Sequence, residues 1–241
     1  CNRECQIAHR PLHKKACKKR VAELHDEALF KEPPPREDCP ICFLPLPHDT
    51  HQSNFYPCCG KRVCYGCIVS MIEEAQGRGK IGLCAFCREP APISLEDEHE
   101  RIKKLVDVGN AHALYILAGY NADGIMGMPQ NWAKANELWL RAGELGCAEG
   151  YFNLGVSYRS GRGVEVNKKK GRHYWELAAM NGNVYARHNL GCIECEAGNE
   201  QKAYKHFLLS ARAGDKESLG EVKEGFMTGN VSKDEYANTL R

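Results

Sequence analysis

From residue 109 onward, small or apolar residues recur at helical spacing. Ala113 and Leu117, Gly150 and Leu154, and Ala186 and Leu190 each stand four residues apart, on one face of a predicted helix. A second segment follows each pair. Aligning AKANELWLRAGELG (133–146), KGRHYWELAAMNG (170–182) and KAYKHFLLSARAGD (202–215) puts Lys134, Lys170 and Lys202 in one column. Trp139, Trp175 and Phe207 form a second column and Gly146, Gly182 and Gly214 a third, with shared spacings of 36 and 32. Each unit therefore predicts helix, loop, helix. The closing glycine suits a left-handed C-cap, and the loops DGIMGMPQN and SGRGVEVN separate the two helices. A shortened third loop, EAGNEQ, accounts for the spacing of 32. Periods of this size predict a solenoid in which neighbouring units stack to make one core. The units run over 105–146, 147–182 and 183–215, and 216–241 reads as a decayed half unit with capping helices. The aromatic columns are read as core, and Cys147, Cys192 and Cys195 as small buried residues.

Before residue 109 this periodicity fades. RVAELHDEALF (20–30) predicts an amphipathic helix, and the three prolines of KEPPPRED force an extended linker, so 21–38 reads as helix plus linker. Eleven of the 14 cysteines lie in the first 87 residues, several as pairs separated by two residues, which lets one turn offer two thiolates to one ion. That spacing favours zinc over disulfides and implies a reducing compartment, cytoplasm or nucleus. The 241 residues are 43% hydrophobic and 27% charged, and a formal charge of +2 is too balanced for a nucleic-acid footprint. No apolar run reaches the length of about 18 residues that a membrane span needs.

The pattern Cys39-x2-Cys42-x15-Cys58-Cys59-x4-Cys64-x2-Cys67-x16-Cys84-x2-Cys87 holds eight thiols, enough to close two tetrahedral zinc sites. Over 39–92 it resembles a RING finger. That resemblance implies a cross-brace in which Cys39, Cys42, Cys64 and Cys67 hold one ion and Cys58, Cys59, Cys84 and Cys87 the other. Lys61 stands where the common version has a histidine, and an ammonium is no zinc ligand at neutral pH. The all-cysteine variant takes its ligand at Cys59, with Cys58 beside it; His48 or His51 replacing one of them is the competing assignment. Ile41, between the first two cysteines, matches the apolar residue that docks a ubiquitin-conjugating enzyme, and Arg88, after the last cysteine, matches the residue that bridges enzyme and ubiquitin. The bland readings are a small core for Ile41 and a surface charge for Arg88. Ala85 departs from the proline usual in the family.

At the start, Cys1-x3-Cys5-x7-His13-x3-Cys17 resembles the C-terminal half of an MYND finger, over 1–20. A complete finger binds two more zinc ions and needs four further cysteines upstream, so the chain reads as a fragment. The repeats resemble Sel-one-like repeats, relatives of the tetratricopeptide repeat, and such arrays are protein-binding scaffolds. The three modules together resemble a group of proteins from unicellular algae such as diatoms. The expected fold is therefore α+β and multidomain: a partial MYND finger, a small zinc-stabilised RING module and an all-α solenoid. Two functions follow from the resemblance. One is a ubiquitin ligase whose repeats select the substrate. The other is a non-catalytic adaptor that only binds proteins.

Overall fold

The computed structural model describes residues 10–48, 52–77, 83–84 and 86–240, apart from the side chains of 10–13 and 75–77. The first element is α1 (Arg10–Leu29), one unbroken helix through the boundary expected near residue 20. It is not amphipathic as expected. Val21 is 66% exposed, and among the described side chains of this helix only those in the last turn are covered, with Leu29 at 2%. Pro33, Pro34 and Pro35 then carry an extended linker, as a proline run dictates.

The cysteine-rich module follows. Strands β1 (Ser53–Tyr56) and β2 (Lys61–Cys64) form an antiparallel hairpin in which Ser53 faces Cys64 and Tyr56 faces Lys61. Helix α2 (Tyr65–Gly77) leaves directly from β2. Its core is small: Cys39, Leu46, Val63 and Ile68, with Ile41, Tyr56 and Phe86 packed against them.

Among the described residues nine helices make the array: α3 (Leu95–Asp107), α4 (Ala111–Asp123), α5 (Trp132–Glu144), α6 (Ala148–Ser160), α7 (Lys168–Met180), α8 (Val184–Glu196), α9 (Glu200–Arg212), α10 (Lys216–Thr228) and α11 (Lys233–Thr239). Each packs on its chain neighbour, the arrangement of a solenoid. Trp139, Trp175 and Phe207, the aromatic column of the sequence, are all buried in successive core clusters. Gly146, Gly182 and Gly214 close α5, α7 and α9 with φ of 97°, 91° and 101°, a conformation that favours glycine. Gly171 breaks the repeat pattern for a steric reason. A Cβ there would lie 3.0 Å from the Gly155 carbonyl oxygen and 2.5 Å from Cγ of Arg159, whose guanidinium stacks over Trp175.

Five helix starts within the array are capped by Asn or Asp, and Ser94 and Ser232 cap its first and last helices. Asn110, Asn131, Asn167, Asn183 and Asp215 each accept a hydrogen bond from the backbone N–H three residues on. Such a cap stabilises by about 1 kcal/mol. Cys147, at the start of α6, makes no cap bond.

The last turn of α1 docks onto this array. Arg187, buried on α8, donates to the Leu29 and Ala179 carbonyls at 3.0 and 2.9 Å. Lys202 pairs with Asp26 at 2.7 Å, and Phe30 meets His206 at a tilt, with ring centroids 4.7 Å apart. Burial, only partly offset by Glu32, draws Arg187 down to about 10.

Candidate metal centres

Two turns of the module have the same construction. In the first, the Phe43 N–H donates to the Cys39 carbonyl and the Cys39 N–H to the Leu44 carbonyl; in the second, Arg88 donates to Cys84 and Cys84 to Glu89. Isolated bridges close both, Asp38 to Pro45 and Leu83 to Pro90. Phe43 and Arg88 accordingly sit at φ of 57° and 64°, rare for residues with a side chain. Both turns aim backbone N–H groups at the sulfur of their first cysteine. The hairpin loop supplies a third turn, with Gly60 at φ 70° after Cys58 and Cys59.

These turns, with β2 and the start of α2, gather eight sulfurs into two groups. Cys39, Cys42, Cys64 and Cys67 lie within 4.8 Å of one another, and so do Cys58, Cys59, Cys84 and Cys87. Neighbouring sulfurs stand 3.8 Å apart for Cys42 and Cys64, and 3.7 Å for Cys59 and Cys84. A tetrahedron with metal–sulfur bonds of about 2.3 Å has an edge of about 3.8 Å. The donor set therefore has the size and chemistry of a zinc-thiolate site, and all eight are thiols, not half-cystines.

The thiols titrate unevenly. Burial pushes Cys39 up, but the N–H groups of Cys42, Cys64 and Ile41 outweigh it and bring it down to about 6. Burial likewise opposes, and N–H groups of Cys87 and Phe86 overcome, in bringing Cys84 down to about 7. Cys67 is pushed up to about 12 by its hydrogen bond to Cys64 and by burial. Cys58 and Cys59 are raised by burial first. Four like charges cannot coexist in one small volume, so without a cation each cluster keeps most of its protons.

Both Cys58 and Cys59 enter the second cluster. His48 does not: it lines a cavity facing Ala213 and Asp215 of the array, while His51 lies outside the described residues. Lys61 instead places its ammonium 4.7 Å from the centre of the Phe86 ring. Ile41 is half-buried against the module core, and next to it Phe43 and Leu44 are 75% and 65% exposed. Arg88 is exposed. Ala85, Cys1 and Cys5 lie outside the described residues, as does the side chain of His13; Cys17 is on an exposed face of α1. Cys195 departs from expectation, being exposed, and Cys192 is half-buried beside His188. Sequence reasoning missed the docking of α1. Its partners lie up to 176 residues away, from Asp26 to Lys202 and from Phe30 to His206, and only the adjacent Leu29 and Phe30 at the end of a charged helix signalled it.

The fold of the array is that of a helical-repeat protein. Residues 111–147, 148–183 and 184–215 match the Sel1 repeat family model, so the protein carries Sel1 repeats. No family match places an MYND or RING finger on the first half. Among solved structures, a Sel1 repeat protein from Oxalobacter formigenes is 19% identical with a TM-score of 0.55, covering 62% of this chain and 64% of that one. A protective antigen present in uropathogenic Escherichia coli strains, displaying an SLR fold, is 20% identical with a TM-score of 0.54, covering 70% of this chain and 40% of that one. The chain thus spans less than two thirds of either structure. No curated protein matches it. No helix among the described residues is long and apolar enough to cross a membrane.

Proposed function

We propose that this protein is a protein-interaction scaffold in which a zinc-closed, RING-type module is carried on a Sel1-repeat array. The observation that supports it is the interleaving of the two sulfur clusters: Cys39 and Cys42 share a cluster with Cys64 and Cys67, across Cys58 and Cys59 of the other. Zinc in both would tie three turns and a hairpin into one body with no coordination position left for chemistry. Sites closed by four thiolates are structural, so the module displays surface and does not react. The repeats, which generally mediate protein–protein interaction, supply the other binding surface. A reducing compartment, cytoplasm or nucleus, suits thiolate zinc sites of this kind.

A second reading, a ubiquitin ligase, is favoured by the exposed apolar Phe43 and Leu44 beside Ile41 and by the exposed Arg88 on the second turn. Such an enzyme needs no nucleophile, because it works by holding a charged conjugating enzyme in a reactive geometry. One assay separates the two: discharge of ubiquitin from a panel of charged conjugating enzymes onto free lysine, for wild type and Arg88→Ala, with zinc counted in both. The scaffold reading expects no acceleration at full zinc occupancy. Acceleration that Arg88→Ala abolishes, with zinc retained, would replace it by the ligase.

A further inference from the structure

The residues that begin α4, α6, α8 and α10 form a column of four: Asn110, Cys147, Asn183 and Asp215. Three of them cap their helix. The fourth gives up the cap for a buried thiol whose Sγ lies 3.3 Å from Oε2 of Glu149. Two residues after the cap, successive repeats place His112 on α4 and Glu149 on α6 at equivalent positions. The His112 nitrogen, the Cys147 sulfur and the Glu149 carboxylate come within 4.8 Å of one another. This is the place where the cysteine-rich module meets the array. Arg62 of β2 reaches across, with one guanidinium nitrogen 2.9 Å from His112 Nε2 and the other donating to Ser53 Oγ. A cavity of about 290 Å³ opens beside the cluster, lined by Arg62, His112, Ala148, Glu149, Tyr185 and His48 among others.

We propose that His112, Cys147 and Glu149 form a further transition-metal site, with one coordination position open to this cavity. One nitrogen, one thiolate and one carboxylate suit zinc or cobalt and are too soft a set for calcium or magnesium. Three protein ligands beside an open space are the pattern of a zinc site that keeps a position for water or an incoming oxygen or nitrogen donor. The repeat itself argues for the assignment, since a Cys at that column forfeits a bond its three counterparts make. In the metal-free protein the thiol keeps its proton, because burial and the neighbouring Glu149 both raise it, while Arg62 is close enough to ease its loss. Binding the ion releases that proton. The site shares no ligand with the two sulfur clusters and stands or falls apart from them.

The test is a count of zinc per chain by native mass spectrometry on the full-length protein equilibrated in buffered free zinc, comparing wild type with Cys147→Asn. The variant restores the cap that the other repeats use, so it is expected to fold as well as wild type while holding one ion fewer. In the cobalt-loaded protein the same change removes the charge-transfer band of a single thiolate and leaves the four-thiolate bands intact. His112→Ala gives an independent reading and should also lose one ion. Equal ion counts in wild type and in both folded variants would overturn the site. Failure of the four-sulfur reading would show instead as unchanged zinc in Cys39→Ser and Cys84→Ser.

Discussion

Between Asp38 and Pro90 the buried apolar side chains among the described residues, cysteines aside, are Leu46, Val63 and Ile68, and the remaining interior is sulfur. In the array each repeat buries a Trp or Phe on a bed of alanines: Trp139 on Ala135 and Ala142, Trp175 on Ala178 and Ala179, Phe207 on Ala203 and Ala211. The first region has too little apolar surface to hold itself together, and the second gets its core by stacking. One stretch therefore depends on what it binds and the other on its neighbours.

The sharpest way to break this comparison is to remove zinc. A chelator should unfold the module, at a cost on the order of 10 kcal/mol, and leave the array helical. Protease cleavage confined to residues before 95, with far-UV circular dichroism largely retained, is the expected result; loss of both together would show that the array leans on the module. In the reverse direction, Phe207→Ala should cost the array about 3–5 kcal/mol in chemical denaturation while leaving zinc content unchanged.

A smaller effect concerns the joint with α1. His206 is fully buried, neither ring nitrogen has a hydrogen-bond partner among the described residues, and burial with Arg187 and Arg172 nearby draws it down to about 3. The unfolded chain binds a proton below about pH 6.5 and the folded chain does not, so this contribution is complete above that pH and is lost progressively down to about 3. At about 1.4 kcal/mol per pH unit, wild type should lose about 2 kcal/mol between pH 6.5 and 5 that His206→Phe keeps. Urea unfolding of both proteins at the two pH values measures the difference. The smallest effect is local: Asn183→Ala, which removes the α8 cap, should lower stability by about 1 kcal/mol.

The array was legible because its signal repeats. Three aromatic residues and three glycines at fixed spacing overdetermine a helix pair, and they sit in the structure where the period places them. The sulfur turns were legible because two cysteines two residues apart leave little choice of conformation. What stayed hidden depended on distance or on one departure from a pattern. The contact of Arg187 with Leu29 has no local trace in either segment. An amphipathic helix is expected over 20–30, yet along that stretch only Leu29 is buried. Cys147 was read as a small core residue, correctly as to burial; the cue to more was its place in a column of capping residues, which appears only once the helix starts are known.

Helix α1 has 20 residues, about 30 Å of stiff rod, and it meets the array through its last two turns, where His25 faces Glu176 and Leu29 faces Arg187. It is a lever with its fulcrum at Arg187. A load applied near Cys17 arrives multiplied at a joint that includes the Arg187–Leu29 hydrogen bond and the Lys202–Asp26 ion pair, on α8 and α9. Whatever pulls on the N-terminal half of this helix thus has mechanical advantage over the third repeat.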